Sequence, residues 1–314
     1  MFRGTLIAQI IAIIGAVFLA KLYGEEAYGV LGVFISIINI SSIISTLQLD
    51  NCIVITKDEK ESSNWLSFLF LLSPLILVVI FIILMITTNF LSFENLDSTL
   101  LLLTFIASIF FTFNILHESL FTFKKKFSIL SNSKIFLTIS NVVLQIVLFS
   151  YYKLLGLVIG FLVSQMLLTL FYFFKNKKSI SKFNIDKIKI GVKSNSKIIK
   201  YLLPSNIINS LANNLMPILI LTFFGAKEAG VYFFSIKILG TPLFLISSSV
   251  SKVFFKKSSE LLSENKKELL KTTKKIVTTN LFIMLVFLFA INTIGIYILE
   301  LYFDNNWVNL RSYT

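Results

Sequence analysis

NWLSFLFLLSPLILVVIFIILMITT, residues 64–88, decides the fold. It carries no charged side chain, and as a helix rising 1.5 Å per residue it reaches about 38 Å, more than the roughly 30 Å of a bilayer's hydrocarbon core. Eight further runs have the same character: Gly4–Leu22, Tyr28–Leu49, Ser98–Leu120, Ile129–Ser150, Leu154–Phe174, Leu202–Phe223, Gly230–Val250 and Ile276–Leu299. The expected fold class is therefore an all-α integral membrane protein of about nine transmembrane helices. Arg3 ahead of the first run could suggest a signal peptide, but the run is long and no A-x-A cleavage pattern follows it.

Composition agrees. Of 314 residues, 56% are hydrophobic and only 14% charged, against about 25% charged in an ordinary globular domain. Mean hydropathy is +0.85. The net charge of +13 does not point to nucleic acid, because the lysines sit in the connections between spans and not on a folded basic surface. Cys52 and His117 are single of their kinds, so neither a disulfide framework nor a His/Cys metal site can be assembled. There is no G-x-x-x-x-G-K-[ST] phosphate loop, and no cofactor is expected.

Orientation follows from the basic residues, since positively charged loops resist translocation. With a cytoplasmic N-terminus, 24 of the 29 basic residues fall inside, and only Lys21, Lys153, Lys227 and Arg311 fall outside. Lys237 lies within a span. The segment 175–201, with nine lysines, reads as a basic cytoplasmic linker between an N-terminal six-helix lobe (1–174) and a C-terminal lobe (202–314). Its lysines would gain about 1 kcal/mol each by binding anionic inner-leaflet membrane lipids, but a solvated topology determinant is the simpler reading.

An internal repeat supports two lobes. Tyr23-Gly24-Glu25-Glu26-Ala27-Tyr28-Gly29-Val30 aligns with Phe224-Gly225-Ala226-Lys227-Glu228-Ala229-Gly230-Val231 at an offset of 201 residues. Six spans separate the copies, an even number, so the repeat is parallel, related by an axis along the membrane normal. The first lobe holds six spans and the second three, so equal halves would need about three more helices; the expectation is a truncated second lobe.

Polar groups inside spans are expensive and mark solute pathways by default. Lys237 lies about 12 Å from the outer end of span eight, at 1.5 Å per residue. Its cost of about 3 kcal/mol is offset by eleven Val, Ile, Leu and Phe residues of the span, so the helix inserts. A central cavity or a structural partner would satisfy it. Asn213 and Asn214 are mid-span, with Pro217 just beyond; they suit sugar hydroxyls or helix contacts. Asp50, His117 and Glu118 lie near cytoplasmic span ends, where an interfacial structural role competes with transport. Outer connections of about ten residues leave no room for the acid–base site of a membrane glycan polymerase or ligase, so an enzyme is not expected.

Leu203-Pro204-Ser205, the run Asn209 to Pro217, Phe224-Gly225, Lys237-Ile238-Leu239-Gly240-Thr241-Pro242 and Val253 to Leu261 together resemble the second half of bacterial polysaccharide-biosynthesis flippases. Those flippases share an exporter superfamily with the multidrug and toxic compound extrusion (MATE) transporters. Arg3-Gly4-Thr5 and Leu19 to Gly24 resemble the family's opening, and Phe303-Asp304-Asn305-Asn306-Trp307 resembles the outer loop ahead of a tenth helix. The resemblance implies a bacterial inner-membrane exporter that moves an undecaprenyl-diphosphate-linked oligosaccharide, an O-antigen, capsule or exopolysaccharide unit, by alternating access. It implies a role for Lys237 with the anionic diphosphate, and a polysaccharide polymerase and glycosyltransferases as partners. Gln48 stands where the family commonly has arginine, which removes any carried-over role there. An ion-coupled multidrug antiporter is the alternative.

Overall fold

A computed structural model describes residues 2–56, 58–91, 97–176 and 184–240, with scattered positions between 273 and 289. Outside the described residues lie the connection at Glu94, part of the basic segment, the inner half of span eight, most of span nine, the resembling stretches beyond Gly240 and the 303–307 loop. Eight α-helices are bounded within the described residues: α1 Phe2–Thr46, α2 Asp50–Ile55, α3 Glu59–Leu91, α4 Ser98–Phe123, α5 Phe127–Tyr152, α6 Gly156–Lys175, α7 Ile185–Ser194 and α8 Leu203–Phe224. Five continuous helical stretches are long and apolar enough to cross a membrane.

Two of those stretches are hairpins. In α1 the helical path breaks at Gly24, with φ 77° and ψ 178°, a region that a side chain forbids. The Tyr28 hydroxyl donates to the Ala16 carbonyl at 2.7 Å. Twelve residues of straight helix would hold those two about 18 Å apart, so the chain has doubled back. The connection expected at Tyr23–Val30 is thus nearly all helix, with the reversal concentrated at one glycine. Likewise Lys153 (φ 45°) opens a 3-10 turn, Lys153–Leu155, and Gln145 Nε2 donates to the Leu157 carbonyl at 2.9 Å across the α5–α6 hairpin.

Side-chain ladders set the relative directions of the spans. A Cβ on Gly4 would meet Ser131, and one on Gly15 would meet Val142, so the first limb of α1 runs parallel to α5. Ser41 pairs with Ser108 at 3.2 Å and Ser45 with Thr112 at 3.4 Å, making the second limb parallel to α4. Asn114 Nδ2 donates to Gln165 Oε1 at 2.8 Å and Tyr172 approaches Glu118, so α4 and α6 are parallel too. These directions match strictly alternating crossings. Small residues let the backbones approach, and hydroxyls and amides satisfy one another where lipid offers nothing.

The chain divides into two compact units, Met1–Gly230 and Val231–Thr314. The first contains α1 to α8. At its cytoplasmic end, as the charge bias orients it, Leu49, Cys52, Ile53, Trp65, Leu66, Leu69, Leu116, Leu120 and Ile188 form a buried cluster. Ile188 belongs to α7, inside the basic segment that the sequence presents as a linker. Asn184 caps α7 by accepting from the Asp186 and Lys187 amides, and Asn64 anchors it by accepting from the Asn184 amide at 2.6 Å. Gly191 is required there because a Cβ would sit 2.6 Å from the Trp65 ring. In the second unit, Val231, Phe234 and Ser235 are buried on a helix described as far as residue 240.

Candidate functional site

The second limb of α1 and α8 meet along an antiparallel seam within the first unit. At the end that the charge bias places outside, the two repeat copies touch through their glycines. A Cβ on Gly29 would lie 1.9 Å from the Ala226 carbonyl oxygen, and one on Gly230 would lie 1.8 Å from the Glu25 carbonyl oxygen. Gly29 corresponds to Gly230 in the repeat and Glu25 to Ala226, so each contact is the other's image about a local two-fold axis. Gly225 (φ 94°, ψ 175°) also repeats the backbone geometry of Gly24. The parallel repeat read from the sequence therefore has a structural counterpart. Lys227 Nζ lies 3.4 Å from Glu25 Oε2 at this crossing, and the Glu25 side chain is only 5% exposed.

Further along, the seam is closed by amides. Asn39 Nδ2 donates to Asn214 Oδ1 at 2.9 Å, and Asn206 Nδ2 donates to Gln48 Oε1 at 2.7 Å. Asn214 keeps its place because its own Nδ2 donates back to the Ser210 carbonyl at 2.9 Å. Gln48 is presented by a strained break: Leu47 (φ 50°) and Gln48 (φ 58°) are both left-handed without being glycine, and they separate α1 from α2. Such a conformation costs on the order of 1–3 kcal/mol per residue and persists only where surrounding structure imposes it. On the other side, α8 is entered through a π-helical turn, Ile198–Leu202.

Asp50 follows the strained break directly. Its Oδ1 is buried without a hydrogen bond, and burial pushes the carboxyl above the usual range, against the Thr46 hydroxyl and its own amide, which favour the ionised form. Of the other residues singled out from the sequence, Asn213 is exposed and its Nδ2 donates to the Asn209 carbonyl at 2.7 Å, so it turns away from Asn39. His117 and Glu118 belong to a separate cluster among α4, α5 and α6. There His117 Nδ1 pairs with the Phe113 carbonyl at 2.8 Å and its ring stacks on Tyr172, whose hydroxyl bonds Ser133 at 2.6 Å and lies 3.3 Å from Glu118. Lys237 is part of the second unit. Of these residues, Asn214 lies on the seam, and Asp50 opens α2 two residues after Gln48.

Sequence reasoning missed Asn39, Asn206 and the Glu25–Lys227 pair. The signal was available for Asn39, a lone amide within VFISIINISS at 33–42. It also missed the buried Asn114–Gln165–Thr169 network, in which the Thr169 hydroxyl donates to Asn114 Oδ1 at 2.9 Å.

A family model described as "Polysaccharide biosynthesis protein" matches residues 18–311. Among solved structures, one titled as the inward-facing conformation of a multidrug resistance MATE family transporter of the MOP superfamily superposes with a TM-score of 0.69. The two are 15% identical, and the match covers 97% of this chain and 75% of that one. A second, titled as MATE in the bent conformation, gives a TM-score of 0.53 at 14% identity, over 98% of this chain and 74% of that one. Both matches report the fold. No curated protein matches the chain.

Proposed function

The chain belongs to the polysaccharide biosynthesis protein family, and on that premise we propose that it carries a lipid-linked oligosaccharide from the inner to the outer leaflet of a bacterial plasma membrane by alternating access along the α1–α8 seam. The coarser conclusion, a multi-pass membrane protein of transporter fold, stands on the family and the fold together.

The observation that carries the proposal is the character of the seam. It is polar and joins the two copies of a repeat. It is bridged by the neutral amide pairs Asn39–Asn214 and Gln48–Asn206. A neutral hydrogen bond contributes only about 1 kcal/mol net, because water or a sugar hydroxyl replaces either partner at little cost. Such a seam opens and closes readily, and its amides suit a hydroxyl-rich cargo. The anionic diphosphate of that cargo needs a cation, and Lys237 is the intramembrane candidate; Coulomb attraction in a confined, poorly hydrated space exceeds that in water several-fold.

The test is restoration of surface polysaccharide in a bacterium lacking its own flippase, with the chain expressed from the longest open frame that contains it. Asn39→Ala combined with Asn214→Ala should reduce restoration, and Lys237→Ala should reduce it more than Lys178→Ala. The solved structures that share this fold include a multidrug transporter. Drug resistance without polysaccharide restoration would therefore replace the proposal with an ion-coupled multidrug antiporter.

A further inference from the structure

Resting on that transporter reading and on the inside placement of the N-terminus, we infer that the glycine crossing is the outer gate of the seam and that Glu25 is a proton-binding site whose protonation from the outer side releases the Glu25–Lys227 latch.

The geometry of the crossing is that of two surfaces that can part. Gly29 and Gly230 bring backbone against backbone with no side chain interleaved, each nearest the opposite copy's carbonyl. Parting such a contact unlocks no rotamers and, because the contact is symmetric about the local axis, moves both copies alike. An ion pair spans the crossing: Lys227 Nζ lies 3.4 Å from Glu25 Oε2.

The latch is asymmetric in its access to water. Lys227 is 56% exposed and Glu25 only 5%. Glu25 Oε1 is buried with no hydrogen bond. An ionised carboxylate whose second oxygen is stripped of water and unpartnered is poorly solvated, and its neutral form is favoured. The charged groups acting on Glu25 are Lys227, which favours ionisation, and Glu228 and Glu26, which oppose it. The neighbouring phenols are engaged elsewhere, Tyr23 on the Gln145 carbonyl and Tyr28 on the Ala16 carbonyl. The proton goes from outer water onto the Glu25 carboxylate, forming a neutral acid. The ammonium-to-carboxylate attraction is lost, and the Lys227 ammonium remains in solvent, where it is well hydrated.

The experiment uses the full chain in right-side-out membrane vesicles with a reporter thiol at the seam, Asn39→Cys, and a membrane-impermeant maleimide outside. Its labelling rate is divided by that of an exposed thiol on the same side, Lys153→Cys, measured at the same pH to remove the intrinsic pH dependence of the reagent. The normalised rate should rise about tenfold from pH 7.5 to pH 5.5. Glu25→Gln, which is never charged, should show the fast rate at both pH values. Glu25→Asp should retain the pH response. A normalised rate flat with pH in the parent, or a Glu25→Gln rate equal to the parent's at pH 7.5, overturns the inference. Should Glu25→Gln fail to accumulate, Lys227→Gln is put through the same comparison, and a slow rate at pH 7.5 in that variant overturns it equally. Labelling is read without transport. A pH-gated seam with no polysaccharide restored sinks the flippase reading alone, and restoration with a flat labelling profile sinks the latch alone.

Discussion

Gly29→Ala is the smallest change that tests the crossing. The added methyl would sit 1.9 Å from the Ala226 carbonyl oxygen, backbone that no rotamer change can move aside, and 3.1 Å from the Gly230 nitrogen. Ordinary carbon–oxygen contact needs about 3.4 Å, so the two helices must separate by about 1.5 Å here, enough to stretch the Glu25–Lys227 pair beyond bonding distance. Overpacking of this kind costs typically 1–3 kcal/mol, and a contact between two backbones belongs at the top of that range. Replacing a helical glycine by alanine returns about 1 kcal/mol of helix propensity. The net cost is about 2 kcal/mol against the closed crossing, a shift of roughly thirtyfold in its equilibrium. The assay is thermal unfolding in detergent together with outer-side labelling of Asn39→Cys, where stability should fall and labelling rise. Gly24→Ala is the control: nothing lies within 4 Å of its Cβ, and its φ of +77° makes the cost purely conformational, so it should lower stability without the labelling gain. Unchanged stability and labelling in Gly29→Ala would refute the close approach of the two copies and with it the structural basis of the local two-fold axis.

Further outcomes follow from the packing. Gly15→Ala should destabilise the α1–α5 contact by about 1–3 kcal/mol, and Val142→Ala should restore most of the loss, because the nearest atoms to the new methyl are Val142 Cγ2 at 2.5 Å and Cγ1 at 3.1 Å; thermal unfolding of the pair checks it. In a double-mutant cycle, Asn39→Ala and Asn214→Ala should couple by about 0.6 kcal/mol, the typical value for an intramembrane hydrogen bond, and additive effects would dissolve the seam contact. Cys52 is fully buried and its thiol is pushed up to about 12, first by burial and then by Asp50 and Glu61. Its thiolate fraction at pH 8 is on the order of one in ten thousand, so it should resist maleimide in native membranes and react after denaturation.

Much of the fold was legible because hydrophobic length is a one-dimensional property. The runs at 64–88 and 98–120 coincide with α3 and α4 to within a few residues at most ends, and the hairpin at Lys153 falls where two apolar runs meet. The basic segment was less legible. α7 has Ile185, Ile188 and Ile190 among its lysines, too short and too charged to announce a core, yet Ile188 and Gly191 are held under Trp65, a residue more than 120 positions away. Asn213 and Asn214 show the same limit more sharply. Adjacent and chemically identical, they are indistinguishable in the sequence. One helical step of about 100° sends Asn214 across the seam to Asn39 and Asn213 back onto its own helix.

The sequence by itself determined that this chain lives in a membrane, where the spans within the described residues lie, and that Gly24 and Gly29 recur as Gly225 and Gly230 in a parallel repeat. Those properties are carried by segment length, charge placement and glycine spacing, each written locally along the chain. Only the tertiary structure decided that Gly29 packs on the Ala226 carbonyl and Gly230 on the Glu25 carbonyl, and that Glu25 is buried against Lys227. It likewise decided that Asn39, Gln48, Asn206 and Asn214 share one seam while His117 and Glu118 are walled into another cluster. Which face a helix turns inward is set by the neighbours it packs against, and in a bilayer, where every side of an apolar helix is equally acceptable to lipid, the sequence pattern alone leaves that rotation open.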